Sequence, residues 1–255
     1  MVSLPTQKQS IWQILCNSIK LWRAVLIKLF LFALICSIIT SIPHYYVPTY
    51  YLPHFKQVLQ YIVKHPFIIL FYAMVSLIIF AAILHLVMTL LLTNKINYKQ
   101  AFILGFKKLP FTLFALIAVL CTVFIFTNLL VFPGLFMSIL LSMYLPLIIF
   151  ENEGPFHAYK HSCKLVWNDW WRTAVTLAIP SVIFWTITNI IEGRASFEVV
   201  AKHAHSNFMW VFYHLIFTIL YAGFLLWAGA ILLLLLNDLK LRKGEKGLQI
   251  SILPL

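Results

Sequence analysis

Acidic side chains are scarce in this chain: 7 Asp and Glu stand against 19 Lys and Arg, and only 10% of residues are charged. No Asp, Glu or Arg falls in the middle of an apolar run, and only His85 and His214 reach such depth. Ionisable groups inside a bilayer mark ion pathways and proton relays, so their scarcity argues against a pump or proton-coupled transporter. The two imidazoles read more simply as contacts between helices. Glycine is also thin, at 8 residues with Gly134 and Gly154 isolated, so no Gly-rich loop exists to cradle a nucleotide phosphate. Cys16, Cys36, Cys121 and Cys163 form no CxxC and no close pair, which fits reduced structural thiols. No Ser-His-Asp or Cys-His set can be assembled at one side and depth, so no catalytic residue and no cofactor is expected. The N-terminal segment shows Trp12 among polar residues and no small-residue cleavage site after the first span. That span is expected to stay as an anchor.

What is abundant is hydrocarbon. The chain is 62% hydrophobic, with a mean hydropathy of +0.94, against roughly 45–50% apolar in a soluble domain. Several runs exceed the ~18 apolar residues that suggest a bilayer span. The expected fold is an all-α integral membrane protein, one polytopic membrane domain over 1–255. Its six transmembrane helices are predicted at about 24–42, 67–92, 111–132, 135–150, 173–191 and 210–236, with three cytoplasmic-side interfacial amphipathic helices. Pro43 is expected to stop the first span and Pro133-Gly134 to turn the chain between the third and fourth. The fourth is only ~25 Å long at ~1.5 Å per residue, so it needs a thinned bilayer or shelter among its neighbours.

The cations divide unevenly between the two sides. Lys8, Lys20, Arg23, Lys28, Lys95, Lys99, Lys107, Lys108, Lys160, Lys164, Arg172, Lys240, Arg242, Lys243 and Lys246 fall on one side, and Lys56, Lys64, Arg194 and Lys202 on the other. The positive-inside rule then places both termini in the cytoplasm. The Tyr- and Pro-rich loop within 43–66 is expected along the outer headgroups. A net charge of +12 beside apolar spans points to anionic lipid headgroups as partner, not to nucleic acid.

A weak internal repeat precedes each odd-numbered span. Setting Ser18, Gly105 and Ser162 in register aligns Lys20, Lys107 and Lys164, and brings Ala101 opposite Ala158 and Phe102 opposite Tyr159. In the third copy Phe156, Tyr159, Cys163, Val166 and Trp170 recur every three or four residues, with His157, Lys160 and Lys164 on the other flank. This predicts a helix lying in the interface plane with its apolar side toward acyl chains. Lys20, Lys107, Lys108, Lys160, Lys164 and Arg172 are the expected headgroup-binding residues, and Trp22, Trp167, Trp170 and Trp171 the expected interface anchors.

The segment 132–172 concentrates the remaining chemistry. Pro133-Gly134 opens it as a turn, Glu151 and Glu153 mark the exit of a span, and Glu153-Gly154-Pro155 starts the next helix, where proline suits the first turn and an acid the positive end of the dipole. Glu151 and Glu153 point in different directions as a general acid–base pair. His157 and His161 share a helical face as metal ligands do, but no acid is expected at the matching helical position, and Lys160 repels a cation. His203 and His205 are equally incomplete, so no metal site is expected.

The residues Pro133, Gly134, Pro146, Glu151, Gly154-Pro155-Phe156, Ala158, Ser162, Leu165, Trp167 and Trp170 resemble the signature of YciC-type bacterial inner-membrane proteins. The pattern is also similar to the membrane domain N-terminal to some glycerophosphodiester phosphodiesterases, without a segment long enough for the catalytic domain. The resemblance implies the six-span layout and a bacterial inner-membrane location, and it carries no catalytic residues. The expected role is a non-enzymatic multi-pass protein of envelope or lipid homeostasis that contacts anionic headgroups at the cytoplasmic face. A transporter or permease subunit for a hydrophobic or phosphorylated solute is the alternative. A membrane-protein partner or a homo-oligomer is left open.

Overall fold

The computed structural model describes residues 4–46, 66–93, 96–202, 207–245 and 247–248, and among these it is helical with no strand. The helices are α1 (Ile11–Tyr46), α2 (Pro66–Thr93), α3 (Tyr98–Leu129), α4 (Val131–Leu140), α5 (Tyr144–Phe150), α6 (Pro155–Val166), a 3-10 turn (Trp167–Asp169), α7 (Trp170–Lys202) and α8 (Asn207–Arg242). Six segments are long and apolar enough to cross a membrane, α4 and α5 together counting as one, which is the layout of a multi-pass membrane protein. The Tyr- and Pro-rich stretch 47–65 with Lys56 and Lys64, and also Lys95, His203, His205 and Lys246, lie outside the described residues. So do the side chains of Arg194, Lys202 and His214.

Helix starts follow local chemistry. At the head of α1 the Ser10 hydroxyl accepts from the Gln13 N–H (3.2 Å) while the Gln13 side chain accepts from the Ser10 N–H (2.7 Å). This reciprocal capping box satisfies two otherwise orphaned donors. Asn97 caps α3 through Gln100 N–H at 3.1 Å. Helix α1 then runs unbroken for 36 residues, with Pro43 inside it. Helix α3 runs for 32 residues through Pro110. The basic segments expected as two separate interfacial helices are therefore the first turns of long helices. Only the third copy of the repeat, α6, is set off as a helix of its own.

The turn between the third and fourth spans does not fall at Pro133-Gly134. One extended residue, Leu130 (φ −160°, ψ 145°), makes it. Pro133 sits in the first turn of α4, where a missing N–H leaves no hydrogen bond unmade. Gly134 lies where a Cβ would stand 2.0 Å from Thr127 Oγ1, so glycine there lets α4 fold back against α3.

The fourth span is broken at 141–143. Pro146 offers no N–H to the carbonyl of Ser142 and its ring crowds that turn, so the chain reforms as α5. A broken helix leaves carbonyls without partners, which is costly away from water. Ser162 on α6 donates to Leu140 O at 2.7 Å and closes one of them. Helix α6 runs antiparallel along α4 and α5: Tyr159 meets Tyr144 at 5.8 Å between ring centroids, and Trp170 Nε1 donates to Phe136 O at 3.2 Å. Its buried face is Ala158, Ser162, Leu165 and Val166. The stripe expected to face acyl chains is split, Phe156 being exposed and Trp170 buried.

The repeat register has a structural counterpart. Ile14, Ala101 and Ala158 are buried at equivalent positions, as are Ser18, Gly105 and Ser162, and then Leu21, Lys108 and Leu165. Lys20, Lys107 and Lys164 are exposed in all three copies. Each copy turns the same face inward and the same lysine outward.

Helices α1 and α8 pack antiparallel, tied by Trp22 Nε1 to Gly223 O (2.8 Å), Trp227 Nε1 to Ser18 Oγ (3.0 Å) and Ser37 Oγ to Thr218 O (3.2 Å). Helix α2 lies against both α3 and α8. The core joins Leu21, Val25 and Leu29 of α1, Ile83, Leu84, Leu86 and Val87 of α2, Leu147 and Ile148 of α5, and Leu233 to Leu236 of α8. Outward faces carry large apolar groups such as Ile27, Leu31, Phe124 and Trp185, as lipid-facing helices do.

Candidate functional site: a charged cluster at one end of the helices

The last turns of α8 gather the charges. Asp238, in the last turns of that helix and almost wholly buried, accepts from Arg172 Nε at 3.0 Å, Arg242 Nε at 2.8 Å and the Gln9 N–H at 2.7 Å. Both guanidinium groups also donate to Gln9 O, that from Arg242 at 2.7 Å. Arg242 reaches Asp169 at 3.9 Å. Asn237 next door donates to Pro5 O at 2.9 Å and accepts from Leu248 N–H at 3.0 Å. The chain before α1, the head of α7 and the chain after α8 are thus bound to one turn.

A second group forms where α5 gives way to α6. Asn152 takes a left-handed conformation (φ 56°) after the last turn of α5, a position asparagine tolerates. Its side chain accepts from the buried ammonium of Lys108. This turn swings Glu153 back beside α6. Its two carboxylate oxygens face His157 Nδ1 at 3.1 Å and His161 Nδ1 at 2.7 Å. His161 Nε2 lies 3.3 Å from Glu245, in the turn after α8 formed around Gly244 (φ 74°). Lys240 pairs with Glu151 and stands 3.8 Å from Glu245.

These positions revise several expectations. Arg172 and Lys108 are committed inside the protein: Arg172 neutralises Asp238, and Lys108 occupies the inward position that Leu21 and Leu165 hold in the other copies. Trp22 and Trp170 are also inward, each donating its indole N–H to a backbone carbonyl that a helix bend or close approach exposes. Lys20, Lys107, Lys160 and Lys164 are exposed, as are Trp167 and Trp171. Pro155 begins α6 with Gly154 before it in extended conformation. Glu151 and Glu153 face partners as well as ending a span, and Glu153, though it precedes α6, supplies a carboxylate beside His157 and His161.

Sequence reasoning missed Gln9, Asp169, Asp238, Lys240, Arg242 and Glu245. The readable signals were the i, i+4 pair Asp238–Arg242 and the equal spacing of Glu153, His157 and His161.

Beside the cluster an open groove of about 430 Å3 is lined by Phe132, Phe136, Trp167, Trp170, Trp171 and Arg172. Trp170 stacks on Phe136 (5.2 Å) and meets Trp171 edge-on (4.7 Å). Comparison with known proteins returns no matching family model, no matching curated protein and no matching solved structure.

Proposed function

We propose that this protein is a non-enzymatic, multi-pass component of a bacterial inner membrane that serves envelope or lipid homeostasis by holding anionic lipid headgroups at its cytoplasmic face. The observation that carries this reading is the partition of charge. The five acidic side chains described (Glu151, Glu153, Asp169, Asp238 and Glu245) are engaged with Lys240, Arg172, Arg242, His157 and His161. Lys20, Lys107, Lys160 and Lys164 remain exposed, and among the described residues none stands within 4 Å of a carboxylate. Each cation near an anionic surface is worth about 1 kcal/mol, so four supply a useful grip without a built pocket. Exposed Trp167 and Trp171 suit the headgroup level. The likeness to YciC-type proteins supports the compartment, and the lysine-rich side of the chain supports termini in the cytoplasm.

A permease for a hydrophobic or phosphorylated solute needs a path between its spans. The space between α1, α2, α5 and α8 is filled by buried leucine, isoleucine, valine and alanine side chains, which favours the lipid reading.

The test is lipidomics on protein purified in mild detergent. Replacing Lys20, Lys107, Lys160 and Lys164 together by Glu is expected to cut co-purified anionic lipid several-fold while zwitterionic lipid stays constant. An unaltered anionic fraction would end the proposal.

A further inference from the structure

The ion pairs account for Lys240 and Glu151 but leave Glu153 facing two imidazoles. Glu153, His157 and His161 follow one another every four residues along one flank, and their donor atoms all lie within 4.8 Å of one another. We propose that these three side chains bind a borderline divalent cation of the zinc type, with Glu245 as the outer carboxylate that orients His161.

The hydrogen bonding argues for it first. A neutral imidazole has one N–H for the two carboxylates that flank His161, so one of its ring nitrogens meets a carboxylate with no hydrogen between them. With the N–H turned to Glu245, the Nδ1 lone pair faces Glu153 Oε1 at 2.7 Å, and both are then aimed at the point a bound cation would take. His157 Nδ1 meets Oε2 of the same carboxylate at 3.1 Å, and that oxygen is buried without a hydrogen bond of its own. A metal-bound histidine almost always passes its other N–H to a carboxylate or carbonyl, the role Glu245 fills.

Charge and donor type agree. Glu151, Glu153 and Glu245 bring three negative charges and Lys240 one positive, so with neutral histidines the group carries the complement of a divalent ion. Lys160 and Lys164 stand on the same helix, but neither ammonium comes within 4 Å of these carboxylates. Two imidazoles and a carboxylate suit zinc, nickel or ferrous iron rather than calcium or magnesium, which prefer all-oxygen sets. Three protein ligands leave a fourth position for water or a donor from outside.

The measurement uses untagged, full-length protein in detergent, stripped with EDTA and titrated with Zn2+ by calorimetry, with Co2+ absorption as a second readout. Wild type is expected to take one Zn2+ per chain and to show the visible bands of nitrogen- and oxygen-ligated Co2+. His157 is the informative position because its side chain is 75% exposed, so its loss leaves the fold alone. His157→Ala, eluting like wild type in size exclusion, is expected to bind at least about tenfold more weakly. Glu245→Gln is expected to lose about 10–100-fold, the range seen when an outer carboxylate is removed. Absence of stoichiometric binding by wild type overturns the proposal, and so does equal affinity in wild type, His157→Ala and His161→Gln. No lipid enters the titration, so its result stands apart from that of the headgroup experiment.

Discussion

Asp238 accepts from two guanidinium groups and one backbone N–H, although only 1% of its side chain is exposed. A buried charge is tolerated because its partners replace water, and removing one member leaves the others uncompensated. Asp238→Asn strips the shared acceptor from Arg172 and Arg242 together. It is expected to lower stability by roughly 3–5 kcal/mol, read as a fall in the thermal midpoint in detergent; a midpoint equal to wild type would show that the buried pairs contribute nothing. Its pair with Arg242, four residues on, was legible as an i, i+4 spacing, whereas Arg172 and Gln9, 66 and 229 positions away, were not. Lys20, Lys107 and Lys164 could be placed by their repeat register alone. Glu153 is legible as the acid that starts the helix of His157 and His161, but its place beside both imidazoles follows the left-handed turn at Asn152, which the sequence does not show.

Single residues also decide how the helices approach one another. At Gly105 a Cβ would stand 2.8 Å from the backbone oxygen of Ile78, and a main-chain atom cannot swing aside. At Gly223 the nearest atom to such a Cβ is Trp22 Cζ2 at 3.8 Å, an ordinary contact. Gly105→Ala is expected to destabilise by about 1–3 kcal/mol through overpacking of α2 against α3. Gly223→Ala is expected to be neutral or to gain up to about 1 kcal/mol from helix propensity. Thermal unfolding of the two variants in parallel checks the contrast, and equal midpoints would refute the close approach. Apolar run length made the six spans readable. Helix continuity was not, since a basic, aromatic first turn looks the same whether it lies flat or continues into a span. Pro133 and Pro146 show the same ambiguity: each stands third in its helix, the one after the turn between two spans and the other after the break inside a span, and a proline alone does not say which.

Across the whole molecule, the backbone around Pro5 and Gln9 and the turn at Asn237 and Asp238 are held together by hydrogen bonds, so the two ends of the described chain share a side. If the lysine-rich side faces the cytoplasm as proposed, fluorescent reporters fused at either terminus are expected to be active there. An export-dependent reporter inserted within 47–65 should be active across the membrane. Opposite-sided termini would contradict both the charge rule and the ties at Asp238. The antiparallel seam between α1 and α8 carries a further consequence for biogenesis. Trp22 finds Gly223 and Ser18 finds Trp227 across 201 and 209 residues of chain. At roughly 5–20 residues per second of synthesis, α1 waits on the order of 10–40 s for the part of α8 it packs against. Throughout that interval the Trp22 indole lacks its Gly223 acceptor, while the Ser18 hydroxyl already donates to Leu15 O within its own helix, so one half of the seam stands before the other exists.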